Sequence, residues 1–531
     1  MNSISAKVEN WQRELEFDED RVFLLDGIRN GFRIVQADCT MAVVEQKNHK
    51  SALQAKSAVE KELKDQISNG HYIISSKKPT IVSALAAIPK AGDDVRIIHD
   101  GSRPSGQAMN DYSVPESVKF QSLGDACALA KTGYWCAKVD LKSAYRSVCI
   151  HPDNYCATGL KWTFGDDKHP TYMFDSRLPF GSNVGPACFH RLSQAVRRCM
   201  IRRGMRGVVA YIDDFLLAAE TRAECEEMLS VLIKLLRDLG FSISWQKVVG
   251  PTQRITFLGV EIDTKECTLS LGDDKRQQLQ QKLQQFQNRK RASKQQLQSL
   301  AGSLNWASYV VRGGRFFLRR ILDAIKPLQH QAHKTRLTQA FREDLQWWMS
   351  FLHVFNGTVY LSKHAKQHVY VDACNTAVGA FYRGDWLYSP FIQDTPAAAE
   401  LHINFKEVIA VVKSVERWLP LWRGMHVVFH TDSTVTKGII NKGRSTNPYV
   451  NSLLRKMAWD CARANCSVSA VHVAGAVNIM ADTISRLHEG RAQQLLQLLS
   501  NYHHGRTPWV DLASHMSYRA LCFLSLQVPR R

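Results

Sequence analysis

The chain of 531 residues lacks the features that mark membrane-spanning, secreted and zinc-finger proteins. No apolar segment is long enough to cross a bilayer, and the polar N-terminus has no signal-peptide core. The 13 cysteines are scattered without a Cys-x-x-Cys pair, and the closest couple, Cys461 and Cys466, has no histidine cluster nearby to complete a zinc site. We therefore expect a protein without membrane contact in a reducing intracellular compartment, cytoplasmic or nuclear.

Acidic residues are fewer than basic residues, with 49 Asp and Glu against 69 Lys and Arg, which gives a formal net charge of +20. This excess of positive charge predicts a polyanionic partner, most simply a nucleic acid, whose binding weakens as salt rises. A generally basic, solubilising surface is the alternative interpretation of the charge alone. Hydrophobic residues at 45% and aromatic residues at 9% predict packed domains rather than disorder, and the length predicts about two to four of them.

Changes in residue pattern divide the chain into five segments. Short apolar runs of strand length alternate with amphipathic helical stretches in two places, which predicts two mixed domains separated by a helical region rich in Gln, Lys and Arg. A plain helical linker is the alternative interpretation of that region. The predicted segments are an N-terminal leader with one amphipathic helix near residues 51–67 (1–75), an α+β domain (76–270), a helical segment (271–360), a second β-rich domain (361–490) and a C-terminal tail (491–531).

Three aspartates end or interrupt apolar strands in the first mixed domain. Tyr211-Ile212-Asp213-Asp214 lies between two apolar runs, a pattern typical of a β-hairpin with two carboxylates at its tip. Asp140 ends another apolar strand upstream. Taken singly, each aspartate is more often a turn or surface residue. Together they are the ligands that two divalent ions need for phosphoryl transfer, so the sequence predicts a metal-dependent site formed by these three carboxylates.

The order and content of these motifs resemble the palm domain of reverse transcriptases. Tyr145, five residues after Asp140, matches the residue that in this family lies beneath the incoming sugar and rejects a 2′-hydroxyl, which implies dNTP as substrate; a buried core tyrosine is the alternative. Residues 178–189, with Phe180 and Gly181, resemble the turn and helix that position template and nucleotide. In that interpretation Gly181 allows close approach of the backbone to a base pair.

Three basic residues extend the resemblance. Arg96 and Lys90 are similar to the cations of the fingers that grip a nucleotide triphosphate, although basic residues on exposed hairpins are common without such a role. Lys247 matches the family lysine proposed to protonate pyrophosphate, and residues 257–260 resemble the hairpin that holds the primer end.

A second set of carboxylates occurs in the second β-rich domain. Asp372 and Asp432 each end an alternating strand, Glu407 lies in a helical stretch, and Asp482 lies near the start of another helix. The order Asp, Glu, Asp, Asp resembles ribonuclease H, in the form fused to retroelement polymerases. The resemblance implies two metal ions that activate water against an RNA phosphodiester, with the hybrid recognised by its shape and 2′-hydroxyls.

Two assignments in this set stay open. Glu400 competes with Glu407 for the second ligand position, and we prefer Glu407 because its helical neighbours are apolar. His472 either assists product release or is a structural histidine.

The resemblance implies an α+β right-hand polymerase with fingers, palm and thumb, followed by an α/β ribonuclease H-like domain. It implies two Mg²⁺ ions in each active site, with Mn²⁺ as an alternative, and RNA template, DNA primer, RNA–DNA hybrid and dNTP as partners. The predicted function is RNA-directed DNA polymerase with ribonuclease H. A domesticated, catalytically silent nucleic-acid-binding protein and a hydrolase with an inactive polymerase half are the competing hypotheses, and the seven intact carboxylates argue against both.

Within reverse transcriptases, residues 96–104 differ from the form usual in gypsy-type long-terminal-repeat elements and resemble DIRS-like retrotransposons, with gypsy-type polymerases next. DIRS-like elements are thought to integrate through a tyrosine recombinase, so a separate recombinase is an expected partner. The sequence contains no aspartic protease motif, zinc knuckle or integrase finger.

Overall fold

The structure, a computed structural model, describes residues 3–90, 94–311, 313–354, 357–360 and 366–503. They belong to two units that divide the chain after Glu266. The predicted helical segment 271–360 and the predicted domain 361–490 therefore lie in the same unit. The first five residues of that domain, and the predicted tail beyond residue 503, are outside the described residues. Within the described ranges, no helix is both long and apolar enough to cross a membrane.

The first unit is a mixture of helices and short strands. Its α-helices are α1 (Val8–Glu14), α2 (Arg21–Asn30), α3 (Lys50–Gln54), α4 (Lys56–Ser68), α5 (Leu123–Leu129), α6 (Gly185–Arg202) and α7 (Arg222–Asp238). Its strands are β1 (Val44–Glu45), β2 (Tyr72–Ile74), β3 (Ile81–Val82), β4 (Leu85–Pro89), β5 (Val95–His99), β6 (Trp135–Asp140), β7 (Gly159–Trp162), β8 (Thr171–Asp175), β9 (Val208–Tyr211), β10 (Asp214–Ala219), β11 (Val249–Thr252), β12 (Arg254–Phe257) and β13 (Val260–Asp263).

A four-stranded sheet with the order β11-β6-β10-β9 lies at the centre of the first unit. The apolar runs of β6, β9 and β10 are buried, and α6 and α7 pack against them. Strands β9 and β10 pair as an antiparallel hairpin, which confirms the hairpin predicted from the sequence. Helix α7 begins at a capping box, in which the Glu224 amide donates to the Thr221 hydroxyl at 3.2 Å and the Thr221 amide donates to the Glu224 carboxylate at 3.1 Å.

A second sheet of the same unit has the order β1-β3-β7-β8-β2, and β4 and β5 form a separate hairpin. Residues 51–67, predicted as one amphipathic helix, form α3 and α4, which are separated at Ala55. Val59 and Leu63 of α4 share a buried cluster with Leu85 and Leu160 of the strands. The apolar face of α4 therefore anchors this second sheet and its hairpin.

The N-terminal residues are part of the core of the first unit. Residues 1–75, predicted as a leader with one helix, contain four α-helices in their described part. Trp11 is fully buried, its indole N–H donates to the Leu239 carbonyl at 2.9 Å, and its ring meets that of Phe241 edge-on at 5.9 Å. The buried carboxylate of Asp18 binds Arg198 of α6 through two hydrogen bonds of 2.6 and 2.8 Å. Both contacts join the N-terminal segment to residues about 180–230 positions later.

The second unit begins with a helical part and continues into a larger sheet. Its helices are α8 (Asp273–Gln287), α9 (Lys294–Ala307), α10 (Arg319–Ile325), α11 (Gln339–Val354), α12 (Phe391–Asp394), α13 (Ile403–Trp418), α14 (Thr434–Lys442), α15 (Pro448–Arg463), α16 (Ile479–Ser485) and α17 (Ala492–His503). Its strands are β14 (Thr268–Leu271), β15 (Arg291–Ser293), β16 (Lys334–Arg336), β17 (Thr358–Val359), β18 (Gln367–Ala373), β19 (Ala377–Tyr382), β20 (Asp385–Pro390), β21 (His426–Thr431) and β22 (Ser467–His472).

The larger sheet has the order β20-β19-β18-β21-β22. Strands β18, β19 and β20 pair antiparallel, whereas β21 runs parallel to both β18 and β22. Helix α13 packs against β18 and β19, and its apolar residues share a buried cluster with Val369, Val371 and Phe429. Helix α17, which lies in the predicted tail, contributes Leu495 and Leu499 to a cluster with Phe381 and Ile484.

Replacing Trp11 with Ala should destabilise the protein by about 3–5 kcal/mol, because it opens a cavity and removes a buried hydrogen bond. Thermal and urea unfolding measure the change. Val22→Ala in the same segment is the matched control, since Val22 is 85% exposed and should cost almost nothing. Equal, small effects of both substitutions would show that residues 3–30 are a separate leader.

Candidate active sites

The pairing of β6, β9 and β10 brings three carboxylates of the first unit together. Asp140 is the last residue of β6 and lies opposite Asp214, the first residue of β10, in the antiparallel register. Tyr211 pairs with Asp214 across the hairpin, which leaves Ile212 and Asp213 as its two-residue loop. The structure therefore places all three predicted ligands at one end of the central sheet.

The hairpin loop has an unusual backbone. Ile212 has φ = 52°, a left-handed conformation that is costly for a β-branched residue. The hydroxyl of Ser193 donates to the Ile212 carbonyl, and the Leu141 amide donates to the Asp213 carbonyl at 3.0 Å. These contacts from α6 and from the segment after β6 hold the loop and aim Asp213 toward its two neighbours.

The electrostatics of this cluster show an excess of negative charge. Burial, together with the neighbouring Asp140 and Asp213 carboxylates, raises the pKa of Asp214 to about 7. Burial also raises the pKa of Asp213, whereas the positive charges of Lys247 and Arg96 act in the opposite direction. The ammonium of Lys247 donates to both oxygens of Asp140 at 3.0 and 3.1 Å. A set of carboxylate oxygens with unbalanced negative charge fits a hard divalent cation such as Mg²⁺.

Two aromatic rings and an arginine lie beside the carboxylates. Tyr145 stacks on Phe180, with ring centroids 5.2 Å apart and an interplanar angle of 11°. The guanidinium of Arg96, an exposed residue of β5, lies 5.1 Å from the centroid of the Phe180 ring. Since the Arg96 charge also acts on Asp213, the structure assembles three predicted nucleotide-binding residues around the acidic cluster. Lys90 lies exposed at the end of β4, on the same hairpin as Arg96.

Gly181 makes its close contact with the protein itself. Its φ is 122°, and a Cβ at this position would lie 1.9 Å from the carbonyl oxygen of His99. Only glycine therefore fits where the end of β5 packs against the turn after Phe180. The close approach of Gly181 to a base pair stays a prediction.

Three carboxylates of the second unit also lie close together. Asp372 lies in β18, Glu407 in α13, and Asp432 directly after β21, and their ligand atoms lie within 4.8 Å of one another. Glu407 accepts hydrogen bonds from the Ala373 amide at 3.3 Å and from the Thr431 hydroxyl at 3.4 Å. Glu407 rather than Glu400 therefore joins the cluster, because Glu400 is exposed before α13 begins.

Burial and mutual repulsion strongly affect two of these groups. Burial, together with the Asp372 and Asp432 carboxylates, raises the pKa of Glu407 to about 9. Burial likewise raises the pKa of Asp372 to about 7, with the hydroxyl of Ser485 acting in the opposite direction. This donor set also consists of hard oxygen ligands and fits Mg²⁺.

Asp482, the fourth predicted ligand, is held apart from the three-residue cluster. Its two carboxylate oxygens accept hydrogen bonds from Arg486 at 2.8 Å and from Arg491 at 3.0 Å. Helix α16 instead reaches the cluster through the Ser485 hydroxyl, which donates to Asp372 at 2.7 Å. This approach depends on Gly379, which pairs with Asp372, because a Cβ there would lie 2.3 Å from the Ser485 amide nitrogen.

Ser485 and Arg491 are neighbours of the second site that the sequence did not predict. Ser485 lies within the motif quoted for Asp482, but the spacing of that motif gave no indication of its contact with Asp372. Arg491 lies in the predicted tail, where no pattern pointed to it. His472 ends β22, pairs with Thr431, and is exposed.

Residues 88–262 match the family described as reverse transcriptase (RNA-dependent DNA polymerase). These residues form a reverse transcriptase domain. They include Arg96, Asp140, the Tyr145–Phe180 stack and the Asp213–Asp214 hairpin. The carboxylate cluster of the second unit lies outside the matched residues.

Relatives of the chain are viral polyproteins. It is 26% identical to the Gag-Pol polyprotein of avian reticuloendotheliosis virus over 137 residues, 26% of this chain and 12% of that protein. It is 23% identical to the genome polyprotein of Petunia vein clearing virus over 362 residues, 66% of this chain and 15% of that protein. It is 22% identical to the enzymatic polyprotein of cauliflower mosaic virus over 397 residues, 72% of this chain and 54% of that protein. The reverse transcriptase domain is thus related to those of retroviral and pararetroviral polyproteins, and the chain spans only part of each relative.

Solved structures of a foamy viral protease-reverse transcriptase share the fold. The form called dRH, in complex with double-stranded DNA, matches with a TM-score of 0.52 and 17% identity over 88% of this chain and 81% of that chain. The complex with an RNA/DNA hybrid matches with a TM-score of 0.53 and 15% identity over 87% and 63%. The fold is therefore that of a mixed α/β reverse transcriptase polymerase domain followed by a further domain.

The stability of the protein in a chelator should fall as the pH rises from about 5 to 9, and Glu407→Gln should reduce that fall. A carboxyl whose pKa is raised on folding contributes stability that is complete below its unfolded pKa and is lost as the pH rises to its folded pKa. For Glu407 this window extends from 4.5 to about 9. Thermal unfolding at each pH measures the effect, which amounts to roughly 2–4 °C for each kcal/mol of repulsion relieved.

The exposed Glu400→Gln serves as the control for this measurement. It should leave the parent's pH profile unchanged, because Glu400 lies outside the cluster. Parallel profiles for the parent and Glu407→Gln would contradict the assignment of Glu407 to a repulsive cluster.

Proposed function

We propose that the chain is an RNA-directed DNA polymerase with an associated ribonuclease H activity, which copies retroelement RNA into DNA and degrades the RNA strand of the hybrid. The observation that carries this proposal is the register of the central sheet. It sets Asp140 opposite Asp214, with Asp213 in the adjoining loop, inside the domain that matches reverse transcriptases. Such convergence of carboxylates is what two-metal phosphoryl transfer requires.

The donor sets of both sites support divalent metal as the cofactor. Asp140, Asp213 and Asp214 would hold two Mg²⁺ ions, with Mn²⁺ as an alternative. Two ions at the second site would be held by Asp372, Glu407, Asp432 and Asp482. To bind metal, Asp482 would release Arg486 and Arg491. When bound, such ions supply Lewis-acid stabilisation of charge on the phosphate oxygens and on the attacking oxygen.

Other residues of the first site orient the nucleotide. The ring of Tyr145, which stacks on Phe180, would form a floor for the sugar and exclude a 2′-hydroxyl. The guanidinium of Arg96 lies over the Phe180 ring. Together with Lys90 on the same hairpin, Arg96 would bind the triphosphate. Lys247 holds a proton within hydrogen-bonding distance of Asp140, where it can neutralise a departing pyrophosphate.

A basic groove beside the second cluster supports a nucleic-acid substrate there. A cavity of about 620 Å³ in this unit is lined by Arg319, Lys442 and Arg444 together with Asn404 and Thr434. Asn404 precedes Glu407 by one helical turn, and Thr434 follows Asp432 by two residues. Close sequence neighbours of two cluster carboxylates therefore share a groove with three cations, which would suit a phosphate backbone.

The proposal extends to the source and partners of the chain. Residues 96–104 support a DIRS-like retrotransposon as the source, with a tyrosine recombinase on a separate chain as the integration partner. RNA template, DNA primer, RNA–DNA hybrid and dNTP are the proposed substrates, in the cytoplasm or the nucleus. We propose fingers and palm for residues 76–270, thumb and connection for 271–360, and ribonuclease H for 361–490.

Asp213→Asn should reduce Mg²⁺-dependent extension of a DNA primer on an RNA template to background while leaving hybrid cleavage nearly intact. Asp432→Asn should do the reverse, because each substitution removes a ligand from one site only. Extension and cleavage of the same labelled hybrid are measured in parallel, with the exposed Asp238→Asn as the control. Loss of both activities in either folded variant would refute two independent sites.

Tyr145→Val should raise ribonucleotide incorporation relative to deoxyribonucleotide by roughly 10–200-fold, since one steric contact in a pocket is worth about 1–3 kcal/mol. Competition between rNTP and dNTP during primer extension measures the ratio. Tyr155→Val is the matched control, because Tyr155 also stacks on a phenylalanine, Phe174, at 4.7 Å. If both variants changed the ratio equally, the loss of a core ring would explain the effect and the gate would be rejected.

A further inference from the structure

A buried ion pair lies directly behind the Tyr145–Phe180 stack. The guanidinium of Arg146 donates two hydrogen bonds to the carboxylate of Asp175, at 2.7 and 2.9 Å. The Asp175 side chain is fully buried and that of Arg146 is 7% exposed. A bidentate pair of this kind fixes orientation as well as distance, because both groups are planar and rigid.

Further contacts leave the pair little freedom to move. The Nε of Arg146 donates to Gln66 at 3.0 Å, and its guanidinium lies 5.2 Å from the centroid of the Tyr72 ring. His99 completes the cluster, with its Nε2 atom 3.2 Å from the Tyr72 hydroxyl and 3.7 Å from Asp175. Burial lowers the pKa of His99 to about 4. The imidazole is therefore neutral at physiological pH, and the arginine and aspartate charges balance each other.

The backbone connects both rings of the stack to this ion pair. Arg146 follows Tyr145 in one short 3-10 turn, residues 144–147. Asp175 ends β8, five residues before Phe180. The His99 amide donates to the Phe180 carbonyl at 2.8 Å, and the His99 carbonyl fills the place of a Cβ on Gly181. A shift of the ion pair would therefore change the spacing of the two rings.

We infer that Arg146 and Asp175 are positioning residues, which set the spacing of the Tyr145–Phe180 stack and so determine sugar selection and dNTP binding. Neither residue faces the nucleotide; both act through the rings to which they are connected. This inference rests on the proposed polymerase function.

The energetics of buried charges favour positioning over simple stabilisation. Removing two charges from water is costly, and well-packed apolar residues of similar volume commonly stabilise a core as well or better. The bidentate geometry instead supplies what an apolar pair lacks, a fixed angle between two backbone segments that are 29 residues apart.

The test compares Asp175→Asn with a matched buried pair elsewhere in the same unit. Asp18→Asn is the control, because Asp18 is also fully buried and binds Arg198 through two hydrogen bonds, away from the stack. A double variant, Arg146→Met with Asp175→Leu, removes both charges together and so avoids an unpaired buried charge. Each full-length protein is assayed for thermal unfolding, for kcat and KM with dNTP and rNTP, and for hydrogen exchange of residues 143–147 and 178–182.

In Asp175→Asn and in the double variant, we expect the KM for dNTP to rise and discrimination against rNTP to fall, each by about tenfold or more, because small misplacements of positioning groups have large effects. Exchange should accelerate in both segments. Asp18→Asn should lower the unfolding temperature without changing discrimination or exchange there. The inference would be overturned if the folded double variant discriminated against rNTP as well as the parent does. It would also be overturned if Asp18→Asn lost as much discrimination against rNTP as Asp175→Asn.

The exchange measurement separates this inference from the proposed function. If the parent fails to extend any primer, the polymerase proposal fails. Coupled acceleration in the two segments would still support the positioning of the rings by the pair. Unchanged hydrogen exchange in a folded Asp175→Asn variant would refute the positioning of the rings by the ion pair, whether or not the parent is active.

Discussion

Repulsion between carboxylates held at short range is the constraint on which both candidate sites depend. Each site gathers three acids at or beside the ends of buried strands, with Glu407 supplied by α13. Burial first, and the neighbouring carboxylates second, raise the pKa values of Asp214 and Glu407. The cost of holding these acids together persists only where the surrounding core is rigid enough to impose it, which accounts for the strands being paired on both sides and covered by helices.

The two sites balance this charge by different means. In the first, Lys247 contacts Asp140 directly, so a cation is already within the cluster. In the second, the nearest donor to Asp372 is the neutral hydroxyl of Ser485, and the arginines are bound to Asp482 instead. A fixed cation limits the number of further positive charges that a site attracts, whereas a neutral donor leaves the full negative charge available. The second cluster therefore attracts external cations more strongly than the first.

The sequence predicted best those features that interrupt a regular pattern. Carboxylates at the ends of apolar runs identified the β9–β10 hairpin and the strands β18 and β21, because charge is unexpected at a buried strand end. Contacts between segments that are far apart in the sequence produce no such interruption of the pattern. Asp175 looks like an ordinary polar strand residue until Arg146 is placed against it, and Trp11 gives no sign of the carbonyl of Leu239. Gly181 was recognised as a point of close approach, and its contact with the backbone of His99 is revealed only by the three-dimensional packing.

The docking of the N-terminal helices has a consequence for the order in which the chain folds. Trp11 is synthesised long before its partner Leu239, which follows 228 residues later. During translation α1 and α2 must therefore wait, with their apolar faces uncovered, until α6 and α7 have emerged from the ribosome. Contacts this distant in sequence make for slow folding and for intermediates with exposed apolar surface. Chains that stop before α7 would lack the surface that receives Trp11, so an incomplete product is poorly suited to form a working polymerase site.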